Sequence, residues 1–293
     1  MAVTQVSAPR PLALPLPDLT GLRRMLGQRR NLIGLSILLP IVLLALVAPL
    51  LPLQAPLETN PSASMLTPSL EHPLGTDRIG RDVFARVLAG ARTSLFVGTV
   101  VSVLAVTIGM TLGTISGFMG KAVDSLIMMA VDIFLAFPGL LLTIAMVAVF
   151  GAGLWQVILA ITISDIPRTI RLQRSLVLSL KSRPYIDAAR MAHAPTSWVL
   201  VRHVLPNTVA PMLVVASLYM ANAILTEASL SFLGLGITPP EPSWGNIIKE
   251  GQPYIQTGWW ISTFPGVAIV VVSLGLHFLA DGVRESLDPS MRS

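Results

Sequence analysis

The chain has 293 residues, 53% hydrophobic and only 12% charged, with a formal net charge of +5. Soluble domains carry about 25% charged residues, so with a mean hydropathy of +0.73 the composition excludes an ordinary soluble protein. The absence of cysteine excludes disulfides, thiol catalysis and cysteine-based metal sites.

Residues 1–31 read as a tail, Pro-rich and without periodicity up to residue 20, then basic and amphipathic from Leu22 to Asn31. Crossing a bilayer takes roughly 20 apolar residues. Five runs meet that length: Leu32–Leu53, Leu95–Met119, Leu126–Phe150, Val209–Leu233 and Trp260–Ala280. A sixth, Trp155–Ile170, is shorter. The first run lies well behind the N-terminus and lacks a small-residue cleavage site, which argues for a span and against a signal peptide. Residues 54–93 form a polar segment, loop-like around Pro56, Pro61 and Pro68 and helical from Arg81. The second span carries Gly109, Gly113 and Gly117, a repeated small-residue spacing that lets two helices approach closely. Pro138–Gly139 predicts a kink in the third span, and Pro265–Gly266 one in the sixth.

Between the fourth and fifth spans lies a polar stretch, Tyr185–Asn207. Tyr185–His193 is rich in helix formers. Ala194–Pro195 interrupts it, because the residue before proline is pushed out of the α region. Thr196 and Ser197 are placed to cap a second short helix through Leu205, and Pro206 marks the step into the next apolar run. An elbow of two helices is a handle for a soluble partner. Orientation follows from lysine and arginine. All basic residues except Arg78, Arg81, Arg86, Arg92 and Lys249 share one side if the N-terminus is inside. Both termini and the elbow are therefore expected in the cytoplasm.

The elbow resembles the characteristic cytoplasmic loop of bacterial ATP-binding-cassette (ABC) importers, whose pattern is E-A-A, three residues, G, and later L-P. Asp187-Ala188-Ala189 stands for the triplet, His193 for the glycine, and Leu205-Pro206 for the end. Three further blocks are similar to the second permease subunit of dipeptide, oligopeptide and nickel importers. They are His72–Asp77 with Gly80-Arg81-Asp82 and Gly90–Leu95; Glu227–Gly236 with Pro239-Pro240 and Ser243-Trp244-Gly245; and Asp281–Pro289. The resemblance covers roughly Leu32 to the end. It departs from the pattern at Asp187, at His193, and at Met129, where relatives often carry an arginine three residues before Asp132.

The resemblance implies an all-α integral membrane protein of the type I importer permease fold, with six transmembrane helices. Its parts are a first helix over 32–53, a permease domain over 94–283 with a coupling loop over 171–207, and a cytoplasmic end over 284–293. It implies a place in the inner membrane beside a second homologous permease, with two cytoplasmic ATPase subunits and an extracytoplasmic substrate-binding protein. ATP and Mg belong to the ATPases; this chain is expected to bind no cofactor and to catalyse nothing. The implied coupling residues are Tyr185, Asp187, Ala188, Ala189, Arg190, His193, Leu205 and Pro206. The implied cargo is a di- or oligopeptide; nickel, glutathione, opines and sugars use similar permeases.

Acids in or near spans are costly and are functional candidates by default. Asp132, Asp165, which interrupts the short fourth span, and Glu227 are the candidates for a substrate pathway; pairing with arginine or capping a helix is the plainer reading. Trp244, Tyr254, Trp259 and Trp260 read as an interfacial aromatic belt. The four histidines have no metal-binding spacing. Gly113–Lys121 lacks the glycine and hydroxyl residues of a phosphate loop. Basic residues are too dispersed for nucleic acid. An ion-gradient-driven carrier is the rival class; no internal repeat supports it.

Overall fold

A computed structural model describes residues 28–50 and 54–287, and every element in it is helical. The expectations for residues 1–27 and 288–293 lie outside the described residues. α1 spans Arg29–Val47 and runs into a 3₁₀ turn, Ala48–Leu50. α2 spans Val83–Met119, α3 Lys121–Leu135, α4 Gly139–Phe150 and α5 Leu154–Lys181. The elbow consists of α6, Pro184–Met191, and α7, Thr196–Val199. A π-helical turn over Leu200–Val204 joins α7 to α8, Leu205–Leu233. α9, Trp244–Gly251, and α10, Trp259–Leu287, complete the chain.

Among the described residues, four helices are long and apolar enough to cross a membrane: α1 with its 3₁₀ turn, α2, the continuous α7–α8 rod, and α10. The third expected span is not one kinked helix but two, α3 and α4, bent by 90°. Pro138 explains the break: it has no N–H to donate and forces the preceding residue out of the helical region, and its own backbone is extended. If the pair counts as one span, the total is five.

α5 differs from expectation in the opposite sense. Asp165 does not interrupt it, and the helix continues through Pro167 for 28 residues. It is less apolar because it is screened: Val157, Ile158, Ala160, Ile161, Thr162 and Thr169 are buried among its neighbours. A helix lined by protein does not need the hydrophobicity of one lined by lipid. Pro265 likewise lies inside α10 without ending it.

Glycines set the close packing. Cβ atoms at Gly109, Gly113 and Gly117 of α2 would fall 2.4, 2.7 and 2.9 Å from the Cβ atoms of Thr169, Gln173 and Val177 of α5. The two sets share the i, i+4 spacing, so one ridge slides into the other. Gly98 meets Ile224 of α8, and Gly275 of α10 meets Leu38 of α1, both at 2.7 Å. Two apolar clusters form the core, one around Ile224, Trp244 and Val272, the other around Val97, Ile158 and Leu230.

The aromatic belt is corrected. Trp244 and Trp260 are 1% and 3% exposed, and their indole N–H groups donate to the carbonyls of Val87 and Thr76 at 3.0 Å each. Only Trp259 of the three is open, at 49%. Burial of an indole whose N–H has a partner outweighs its interfacial preference.

Candidate functional site

The elbow stands on the ends of α2 and α5. Ile186 is fully buried in a cluster with Phe118, Val177, Val199 and Val204. Lys181 donates to the carbonyl of Phe118 at 2.8 Å and lies over its ring, and the Arg190 guanidinium lies 5.0 Å from the same ring. Trp198 and Tyr185 flank the His203 ring, with centroids 4.9 and 6.0 Å away. The elbow is therefore wedged against the helix ends. The anchor, Ile186, was missed in the sequence; its signal was its place as the large aliphatic residue inside a polar helix.

Asp187, Ala188 and Met191 occupy the opposite face of α6, all exposed, with Met191 at 74%. Two small or short side chains beside a flexible methionine leave a surface on which another protein can sit close to the backbone. Asp187 does not cap α6; it lies 3.9 Å from Arg190. Ala189 is half-buried, packed inward. His193 adopts φ 56°, so the turn does require the left-handed conformation that glycine meets without strain. Its N–H donates to Arg190 and that of Ala194 to Ala189, closing α6.

The second arm departs from expectation. Neither Thr196 nor Ser197 caps α7, whose N-cap residue is Pro195. Leu205 and Pro206 mark no step: α7, the π turn and α8 form one rod from Thr196 to Leu233. Pro206 has no N–H to return, and the wider turn immediately before it accommodates this.

Polar groups on α5 face α3 and α4. Arg174 binds both carboxylate oxygens of Asp124 at 2.6 Å. Arg171 pairs with Asp132, which thus finds its arginine on another helix and not at Met129. Both members of that second pair are more than half exposed. Asp165 is 3% exposed and lines a small cavity with Arg168, Asn222 and Thr226. The three candidate acids are not brought together. Glu227 is fully buried elsewhere, accepting from Ser231 at 2.7 Å and Ser94 at 3.1 Å. Ser94 also meets the Trp244 amide. Glu227 thus bolts α8 to α2 and to the start of α9.

At the end away from the elbow, Asp82 caps α2 through the amide of Ala85 and takes His72 Nδ1 on its other oxygen, both at 2.8 Å. Asp77 accepts from Arg81 at 2.6 Å and from Arg86 at 2.7 Å, and Arg86 reaches on to Glu250 at 2.8 Å. Gly80 turns this segment at φ +78°, where a Cβ would lie 1.7 Å from the carbonyl of Asn60. The His72–Asp82 block is thus a folded ion network that fixes the segment before α2.

Residues 109–293 match the family described as binding-protein-dependent transport system inner membrane component. A putative peptide transport system permease protein of Brucella suis is 40% identical over 99% of both chains. The dipeptide transport system permease protein of Alkalihalophilus pseudofirmus is 43% identical, over 92% of this chain and 89% of that one. Among solved structures, the inward-facing MetNI methionine ABC transporter aligns with a TM-score of 0.56 at 18% identity, covering 69% of this chain and 97% of that one. That likeness concerns the fold. With a match over more than half its length and relatives at about 40% identity, the chain belongs to the binding-protein-dependent transport system inner membrane components, the multi-pass inner-membrane permeases of ABC importers.

Proposed function

We propose that this chain is one of two homologous permease subunits of an ATP-driven peptide importer. α1, α2, the α3–α4 pair, α5, the α7–α8 rod and α10 serve as six spans, and both termini and the elbow face the cytoplasm. The observation that carries the reading is the elbow. Ile186 and Val199 wedge it against the ends of α2 and α5, and it offers Asp187, Ala188 and Met191 outward. A motor that pushes on it moves the spans as rigid bodies. ATP and Mg are bound and used by two ATPase subunits, each seated on the elbow of one permease. A binding protein delivers cargo at the opposite face, and lipid surrounds the rest. Peptide as cargo rests on the relatives, which are named as peptide and dipeptide permeases.

A tagged chain purified from its host should bring ATPase subunits and a second permease with it. In vesicles, that assembly should take up dipeptide only with ATP and the binding protein present. Ion-gradient-driven uptake by this chain alone would overturn the reading.

A further inference from the structure

Halfway along α5 lies a cavity of about 140 Å³, walled by α4, α5 and α8. Cavities that enclose whole drug-sized ligands run from roughly 300 to 1,000 Å³, so this one admits a single residue or a terminal group. Asp165 projects from its wall. It is 3% exposed, and its Oδ2 has no hydrogen-bond partner among the described residues. An unpaired buried carboxylate is strongly unfavourable; Arg168 on the same cavity offsets its charge, but no described side chain hydrogen-bonds Oδ2, which is left open to a donor from outside the chain.

The rest of the wall says what kind of partner. Ser164 and Thr143 both donate their hydroxyl protons to the carbonyl of Gly139, at 3.1 and 2.9 Å. With those protons engaged, the two hydroxyls face the cavity as acceptors. The α4–α5 side of the lining is thus rich in acceptors, while the Asn222 amide and the Arg168 guanidinium supply its donors. A primary ammonium carries three donors and no acceptor, and it matches such a wall. Arg168 adds direction. It is exposed on the same cavity, one turn from Asp165. A cation there repels an ammonium from the rim and draws a carboxylate toward it.

We propose that this cavity receives the α-ammonium of a peptide on its way through the importer, with Asp165 as counter-ion and Arg168 holding the carboxylate end toward the rim. The inference rests on the peptide-importer reading above and adds a contact site to it.

The test uses the importer assembled in vesicles with its binding protein, and dialanine as the probe. Asp165→Asn should lower ATP-dependent uptake by roughly tenfold or more, while the binding protein still stimulates ATP hydrolysis. Asp165→Glu should recover part of the loss. The chain has no cysteine, so an Asn222→Cys variant places its only thiol in the cavity wall. Dialanine supplied with ATP and binding protein should slow modification of that thiol by a small methanethiosulfonate. If Asp165→Asn does not assemble, this protection decides the question.

Wild-type uptake by Asp165→Asn, or thiol modification indifferent to dialanine, overturns the inference and leaves the importer reading standing. A wild-type assembly that imports no dipeptide removes the importer reading, and this inference with it. A photo-crosslink from position 165 to the second permease, with none to peptide, would assign the carboxylate to that subunit and overturn the inference as well.

Discussion

Glycine to alanine in a helix interior ordinarily stabilises by about 1 kcal/mol, because glycine loses more backbone freedom on folding. Along the α2–α5 seam the sign should reverse. A Cβ at Gly113 would lie 2.7 Å from both Gln173 Cβ and the carbonyl oxygen of Ile170. Ordinary carbon contacts are made near 3.7 Å, so the helices would have to part by about 1 Å. Neither obstacle can turn aside: one is backbone and the other is fixed to it. Gln173 is fully buried and donates to Thr114 at 2.9 Å and to Thr208 at 3.0 Å, so the parting also stretches bonds between three helices. Overpacking of this size costs about 1–3 kcal/mol, and each strained hydrogen bond adds about 1 kcal/mol. Gly113→Ala should therefore destabilise by roughly 2–4 kcal/mol after the propensity gain is subtracted. Gly109→Ala should cost more, since its Cβ would come within 2.4 Å of Thr169 Cβ and Cγ2, and Gly117→Ala less, at 2.9 Å from Val177. Gly266 in α10 is the control, because a Cβ there meets nothing within 4 Å. The assay is thermal unfolding of the assembled importer in detergent, one variant at a time. Equal midpoints for Gly113→Ala and Gly266→Ala would refute the reasoning.

Three further outcomes are expected. Ala188→Trp should leave assembly intact but lower peptide uptake per ATP hydrolysed, because the exposed face of α6 can no longer sit close to a partner; an unchanged ratio of uptake to hydrolysis would contradict this. Glu227→Ala should lower stability by about 1–3 kcal/mol by leaving the hydroxyls of Ser94 and Ser231 unpaired inside the protein, while Glu227→Gln keeps an acceptor and should lose less. That difference appears in melting midpoints, and the Gln variant should retain uptake. Arg174→Ala should weaken the attachment of α3 and speed proteolysis near Gly120; the double variant Arg174→Asp with Asp124→Arg should restore resistance if the pair acts through its charges.

The helices most legible in the sequence were those facing lipid or solvent on most of their surface. Hydropathy marked α1, α2, α8 and α10 because their outer faces need apolar side chains. α5 was half legible: its second half carries Arg168, Arg171, Arg174 and Lys181, and its continuity depends on neighbours that sequence windows do not include. The break at Pro138 was read as a kink because proline signals a disturbance but not its angle; the angle depends on what α3 and α4 pack against. The elbow was legible in outline, since Pro195 and the run of helix formers are local signals. Ile186 was not, because a single aliphatic residue acquires meaning only when Phe118 and Val177 arrive from helices distant in sequence. The glycine seam showed its spacing in α2 but not its partner, as Thr169, Gln173 and Val177 form no recognisable pattern on their own. The indoles of Trp244 and Trp260 were misplaced for the same reason: their acceptors, the carbonyls of Val87 and Thr76, lie far away in the chain.

The uninterrupted rod from Thr196 to Leu233 has 38 residues. At 1.5 Å per residue it is about 57 Å long. In the proposed importer it would serve as a crank whose short throw is at α7 and whose long end lies beside Glu227 and Gly234. A tilt of about 5° at the foot sweeps the tip through roughly 5 Å, the pitch of one helical turn. The π turn over Leu200–Val204, Pro206 and Pro211 all lie close to the foot, so beyond them a small push on the elbow would travel along regular helix to a turn-sized step at the far end.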